Sequence, residues 1–397
     1  MSPLPSAPAR SRTAPPRAEV RHLVIGPQAH GVVRHGLGLF DAARRRGADE
    51  LEHRLVRAQS VESVGSVESR DFGTGRTAPG APAAGAPADP AAGTEAPAGV
   101  LHVSFTDALF GPDPQAAVDA VLRLRGSHLL SVGPHDVPQP QEGHERFARR
   151  SRAYARLLGQ ADLVIAHSEH EAGQLRELGG AQPGGRGAIR VVPLPLEDPA
   201  AAPGAAASPA ASSAGPAPES RPSEAGPGSP CVGVLGFVYP GKGLEDVIDQ
   251  VPPGTRVRAI GGVAAGHDDE AAGLGERAAR RGVAFEITGY VPEAELAAEL
   301  AAADVPVCPH RHVSASGSLN TWIAHGRIPL VADGPYMREV DERWPGRVVR
   351  RDREELGEAL RELLADPGRT RAVQAAPSWG WPQVAAAYET AWAEAAR

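Results

Sequence analysis

The chain of 397 residues has two cysteines, no long apolar run and no excess of basic charge, and each shortage removes a class of function. Cys231 and Cys308 stand beside or within expected buried strands (VGVLGF and VPVCP), which reads as two free thiols in a reducing cytosol rather than a disulfide. Two cysteines without a nearby pair also argue against a zinc site, and no metal is expected. No 18-residue apolar run is present, so no transmembrane helix is expected. The formal charge of −7 argues against a nucleic-acid binder driven by overall charge. No G-x-G-x-x-G follows the first strand with an acidic residue about 20 positions later, which speaks against a dinucleotide oxidoreductase.

Three stretches offer too little large apolar surface to offset their ordering entropy. Residues 1–20 read as a disordered tail rather than a signal peptide. Residues 73–99, rich in Ala, Pro and Gly, read as a low-complexity insert. Residues 199–230 read as the interdomain linker. What remains is two blocks, 21–198 and 231–378, and a last helix within 379–397 that crosses back to the first block. Each block alternates short apolar runs with helical periods. In the first, Arg21–Gly26, Val100–Phe105, His128–Val132, Ala161–His167 and Ile189–Pro193 read as strands. Ser168 and Glu171 have the spacing of a capping box. In the second, strands are expected at Cys231–Phe237, Thr255–Gly261, Val283–Thr288, Val305–Pro309 and Ile328–Ala332, with a short one at Arg347–Arg350. Such alternation predicts an α/β fold of two tandem Rossmann-like domains facing across a cleft, with the ligand site between them.

Within the second block, Ser314 to Ser318 is a run of small residues leading into an amphipathic helix that carries Leu319, Trp322 and Ile323. A loop of this kind exposes backbone N–H groups and the positive end of a helix dipole, which suits a phosphate. The alternative is an ordinary α/β turn.

Five segments together resemble the GT-B glycosyltransferases, and among them the family-four retaining enzymes: IGPQAHGVVRHGL, SVGPHDVPQP, ADLVIAHSEHEAGQL, GVLGFVYPGKGLEDVI, and ITGYVPEAELAAELAAADVPVCPHRHVSASGSLNTWIAHGRIPLVAD. The resemblance implies a retaining, metal-independent transfer of a sugar from a nucleotide-diphosphate sugar held by the second domain to an acceptor held by the first. It requires no cofactor beyond the donor substrate. It implies that Lys242 offsets the diphosphate charge, that Ser316, Gly317 and Ser318 cradle the phosphates, and that Gly31 lets the first domain approach them. His135 is expected to touch the donor sugar or the acceptor, with Asp136 orienting it or meeting the acceptor hydroxyl. Tyr290, Val291 and Gly262 fall near the nucleotide, and Leu319, Asn320 and Thr321 fall on the donor-binding helix. The plain alternatives are a solvated turn lysine at Lys242, a helix N-terminal turn at Gly31 and a polar surface loop at His135. His30, His35, His310 and His312 read as solvated or packing residues, Ser168 to Glu171 as structural, and Trp379, Trp381, Tyr388 and Trp392 as interdomain packing.

Departures from the family stand beside these matches. Aligned on Gly326, the slots of the family's paired glutamates fall at Val313 and Thr321, and Phe237 stands where the family carries an arginine. A divergent active enzyme, an enzyme with an unusual donor and a catalytically inactive GT-B binding or scaffold protein all fit these losses. Sugars, lipids and small molecules remain open as acceptors. Arg44 to Arg46 and Arg149-Arg150 allow a peripheral contact with anionic lipid at the inner face of the membrane, although such clusters are more often solvated helix ends.

Overall fold

Short apolar runs closed by turn residues form strands in this chain, and the amphipathic stretches between them form helices. The computed structural model of the protein describes residues 18–28, 30–47, 51–64, 99–179, 187–196, 228–264 and 266–397. The first half runs β1 (Ala18–Ile25), α1 (Gly31–Arg46), β2 (Leu51–Ala58), β3 (Val100–Phe105), α2 (Asp107–Phe110), α3 (Pro114–Arg125), β4 (Leu129–Pro134), α4 (His144–Gln160), β5 (Leu163–Ala166), α5 (Glu169–Gly179) and β6 (Ala188–Val191). The second runs β7 (Cys231–Leu235), α6 (Leu244–Gln250), β8 (Arg256–Ile260), α7 (Asp268–Arg280), β9 (Ala284–Ile287), α8 (Glu293–Ala301), β10 (Val305–Cys308), α9 (Gly317–Ala324), β11 (Leu330–Ala332), α10 (Pro335–Arg343), β12 (Val349–Arg351), α11 (Leu356–Ala365) and α12 (Trp381–Ala395).

The strands form two six-stranded sheets, ordered β2-β1-β3-β4-β5-β6 and β12-β11-β10-β7-β8-β9. Every pairing within them is parallel. Parallel strands need helical crossovers, so both sheets are covered by helices and both are buried. The chain reverses direction along the first sheet between β1 and β3, and along the second between β7 and β10. Ligands of open α/β sheets bind where such a reversal leaves a crevice beyond the strand ends.

The sequence reading differs from the structure in a few elements. β1 begins at Ala18 rather than Arg21, β2 was not expected, and α10 occupies a stretch left unassigned. LEHRLVRA reads poorly as a strand because β2 is an edge strand with alternating charged residues at its outer face. The low-complexity tail, insert and linker fall almost wholly outside the described residues. Among the described residues, no helix is long and apolar enough to cross a membrane.

The last helix packs on the first domain. Val384, Tyr388 and Trp392 of α12 are buried with Val20, Leu39, Leu163 and Ile165. Trp392 donates its indole N–H to Ser131 Oγ at 3.0 Å. Gly38 of α1 leaves room for the Trp381 ring, since a Cβ there would fall 2.4 Å from it. Arg46 is paired with Glu389 of α12 at 3.0 Å, and Arg150 is buried among carboxylates. Both arginines are thus engaged within the protein, Arg46 while still partly exposed and Arg150 while buried, so Arg150 is not the solvated helix end expected of it.

Trp392→Ala is expected to cost about 3–5 kcal/mol, the usual loss for truncating a fully buried tryptophan. Urea unfolding of the full chain measures it. A loss under about 1 kcal/mol would mean that α12 is not part of the first domain's core.

Candidate active site

The two domains meet through side chains at the carboxyl ends of their strands. Ser168, before α5, donates to the carbonyl of Ser314 at 2.6 Å. Ser314 donates in return to Glu171 Oε1 at 2.9 Å. Glu339 of α10 caps α5 from across the interface, accepting from the N–H of Glu169 at 2.9 Å and of His170 at 3.3 Å. A carboxylate at a helix N-terminus meets both unpaired N–H groups and the positive end of the dipole. The segment Ser168 to Glu171 therefore caps its own helix and also ties the domains together, a role its sequence alone did not reveal.

The reversal point of the second sheet lies between β7 and β10, and the loops after these strands carry Lys242 and Ser316 to Ser318. Lys242 is 4% exposed. Its Nζ lies 3.0 Å from Nε2 of His310, across the reversal point. Gly236 makes space for the amine, since a Cβ on it would sit 2.9 Å from Nζ. Burial lowers the Lys242 pKa to about 8. Burial first, and then the neighbouring lysine, holds His310 well below the ordinary imidazole range, so its lone pair faces the ammonium. Among the described residues no carboxylate is paired with Lys242. Glu245 and Asp246 are taken by Arg311, and Asp246 also by Arg353. The lysine is thus a buried cation rather than a solvated turn residue.

Gly243, next to it, is required by the backbone. Its φ is +85°, and a Cβ would lie 2.1 Å from the carbonyl oxygen of Pro309. No other residue permits both the left-handed conformation and this close approach.

Ser316 is the N-cap of α9. Its Oγ accepts from the N–H of Leu319 at 3.2 Å, and its own N–H donates to the Tyr336 hydroxyl at 3.1 Å. The helix opening is left to Gly317 and Ser318, the first two helical residues, whose N–H groups have no intrahelical acceptor. Three residues expected at the donor already have partners within the protein. Leu319 is wholly buried and its N–H is spent on the cap. Asn320 is buried and donates its amide to the carbonyls of Leu194 and Pro195 at 3.0 and 3.1 Å. Thr321 donates to the Gly317 carbonyl at 3.0 Å. Asn320 thus fastens α9 to the segment after β6 instead of offering its amide to a ribose. Gly262 follows β8, with Phe237 4.0 Å from where its Cβ would be. Tyr290 stands out from the surface, 66% exposed, whereas Val291 packs into the second domain.

On the first domain, Gly31 is the first residue of α1, and a Cβ there would meet nothing within 4 Å. Its glycine is demanded neither by packing nor by backbone conformation. His135 follows β4 and is half-buried. Its ring lies 4.4 Å, centroid to centroid, from both His35 and His167. Burial, with these neighbouring imidazoles, holds it well below the usual histidine range, so it is neutral at physiological pH. Asp136 does not orient it. The carboxylate is 3.0 Å from Arg150, whose side chain also meets Asp107 at 3.0 Å and Glu142. One buried guanidinium thereby ties the loop after β4, through the carboxylates of Asp136 and Glu142 and the carbonyl of Asp136 at 2.6 Å, to Asp107 of α2. This loop faces the second domain, where burial and then the Asp136 charge raise the pKa of Tyr239.

His310, Arg150, Glu171 and Glu339 were missed as functional residues. A strand-end histidine or a mid-helix arginine carries no spacing that announces its partner. Beside the reversal point lies an interdomain cleft of about 670 Å³. Residues 138–141, Phe147 and the outer face of α5 line one side, and residues 310–313 and 332–337 the other. A volume of this order accommodates a small-molecule substrate.

Comparison with known proteins agrees with this architecture. Residues 229–366 match the family model described as Glycosyl transferases group 1. No curated protein matches the chain by sequence. Among solved structures, Anabaena HepE in complex with UDP and glucose is 15% identical, with 94% of this chain and 95% of that one aligned at a TM-score of 0.55. Sucrose-phosphate synthase from Thermosynechococcus elongatus is 15% identical over 96% of each chain, at a TM-score of 0.59. A glycosyltransferase involved in avilamycin A biosynthesis is 14% identical over 96% of this chain and 98% of that one, at a TM-score of 0.52. At these identities the likeness is one of fold, the GT-B arrangement of two Rossmann-like domains.

Gly243→Ala is expected to lose at least about 1 kcal/mol of stability from the left-handed backbone alone, and more from the clash with Pro309. Thermal unfolding measures the loss. A variant as stable as the parent would show that the loop between β7 and α6 is free to re-form.

Proposed function

We propose that this chain, a GT-B glycosyltransferase whose second domain matches the group 1 family, moves a sugar from a nucleotide-diphosphate sugar to an acceptor hydroxyl with retention of configuration and without a metal ion on the diphosphate. The observation that carries the reading is Lys242, a buried cation at the reversal point of the second sheet with a neutral histidine for its partner. Breaking the sugar–phosphate bond builds negative charge on the diphosphate. Lys242 and the N–H groups of Gly317 and Ser318 are the donors that meet this charge. The solved HepE structures hold UDP and UDP-glucose, which makes UDP-sugars the first donors to try here. Neutral His135 offers a hydrogen bond to the donor sugar or the acceptor from the opposite wall. In front-face transfer the departing phosphate itself helps take the acceptor proton, so no strong base is required. The interdomain cleft beside the site receives the acceptor.

A second reading is favoured by three positions. Val313 and Thr321 occupy the slots of the paired glutamates, and half-exposed Phe237 replaces the second cation. These losses fit a protein that binds a nucleotide sugar without turning it over. A panel of UDP-, GDP- and ADP-sugars, followed both by binding and by release of the nucleoside diphosphate, separates the two readings. Turnover supports transfer, tight binding without turnover supports the silent form, and neither outcome overturns both.

Two measurements probe the lysine. Lys242→Ala is expected to reduce turnover by roughly 10²-fold or more, the scale of one lost electrostatic donor. Unchanged turnover with an intact fold removes Lys242 from the mechanism. The pH profile gives a second handle. The ammonium form is the useful one, it is present below its pKa, and it is lost as pH rises through about 8. kcat/KM should therefore fall on the alkaline side with a midpoint near that value. In Lys242→Arg the cation survives to far higher pH, so the alkaline limb should disappear although the maximum rate is lower. An identical limb in that variant would assign it to another group.

A further inference from the structure

Three histidines converge in the first domain where no metal was expected. His35 lies on α1, His135 follows β4 and His167 follows β5, so three separate elements bring them to one point. One ring nitrogen from each lies within 4.8 Å of those of the other two. His35 and His167 are buried, and His135 is half-buried. Both ring nitrogens of His35, Nε2 of His135 and Nε2 of His167 are buried without any hydrogen-bond partner. Leaving so many imidazole nitrogens unsatisfied is costly, and such clusters call for an explanation. A shared proton network does not supply one, since none of these rings hydrogen-bonds another.

The remaining nitrogen of His167 is differently placed. Its Nδ1 lies 3.1 Å from Glu171 Oε2, which also accepts the His167 N–H at 2.6 Å. This carboxylate fixes the ring and turns Nε2 toward the other two histidines. A carboxylate behind a metal-bound imidazole is the usual second layer of a zinc site.

We propose that His35, His135 and His167 form a binding site for a divalent transition ion of the zinc class, with Glu171 as the positioning residue behind His167. Ligands at 2.0–2.1 Å in a tetrahedral array stand about 3.4 Å apart, so the rings close on the ion by about 1 Å. Three protein ligands leave a fourth position for water or an oxygen of a ligand in the cleft. The site is distinct from the diphosphate cradle, which is built on the second domain. It shares only His135 with the proposed transfer reaction and does not depend on it. An ion here holds the His135 ring that the proposed transfer reaction uses, so zinc is expected to inhibit transfer.

The test uses the full chain stripped of metal by chelator. After addition of zinc and dialysis against metal-free buffer, elemental analysis should find one equivalent per chain. His35→Ala and His167→Ala should each abolish retention, whereas the exposed His144→Ala should not. Glu171→Gln should weaken affinity by about 10- to 100-fold, as outer-layer substitutions do. Should the alanine variants fail to fold, Co²⁺ added to the parent chain provides an independent reading, with the intense visible absorption of a tetrahedral nitrogen site expected. Absence of stoichiometric zinc, retention unchanged in both alanine variants, or a weak octahedral cobalt spectrum would each overturn the proposal. None of these readouts requires sugar transfer, so failure of that reading would leave this one intact.

Discussion

A buried ammonium that pairs with no carboxylate among the described residues is the constraint around which the second domain is arranged. Taking a lysine out of water is expensive, and proteins ordinarily answer with a carboxylate or with a depressed pKa. Here the carboxylates that follow on α6 are claimed by Arg311 and Arg353. Lys242 is left facing a neutral imidazole. The surrounding backbone is shaped to hold it so: Gly236 makes room for the amine, and Gly243 allows the loop to pass against Pro309. Such strain and desolvation are tolerated in folds mainly where a ligand repays them.

The first domain solves a different problem. It must hold the loop after β4 still, facing the cation, although that loop belongs to a separate sheet. Arg150 does this from below by gathering Asp107, Asp136 and Glu142. Glu171 and Glu339 do it from the side by stitching α5 to the loop before α9 and to α10. Several polar groups at this junction bond across it, Ser168 with Ser314 among them. A polar seam of this kind is typical of interfaces between domains of one chain, which are more polar than those of obligate partners.

The fold was legible in the sequence because parallel α/β sheets write themselves as short apolar runs at regular spacing, and the strands of both domains obey that rule. β2 escaped because an edge strand is half solvated and its charged residues break the pattern. At the candidate site, Lys242 and the loop from Ser316 to Ser318 were legible as motifs, since a glycine-flanked lysine and a small-residue run before a helix stand out in sequence. What could not be read were partnerships. Nothing in the sequence says that Asn320 turns away to Leu194 and Pro195, that Asp136 answers to Arg150, or that His310 receives Lys242. Each of these pairs joins residues from different elements, and only the folded chain sets them side by side.

The histidines show the same limit most clearly. Read singly, His35 is a residue of a helix face, His167 the end of a strand and His135 part of a polar loop. Each has an adequate explanation alone, and cysteine counting argues against a metal. Together they form a convergent set of ring nitrogens with one oriented by a carboxylate. The two walls of the cleft therefore differ in chemistry. The second domain presents a hard cation and backbone dipoles, which suit phosphate oxygens. The first holds a cluster of imidazole nitrogens behind the loop after β4, which suits a transition ion but not a diphosphate. That difference follows from which sheet each residue type closes: Lys242 stands at the reversal point of the second sheet, and His135 follows β4 of the first.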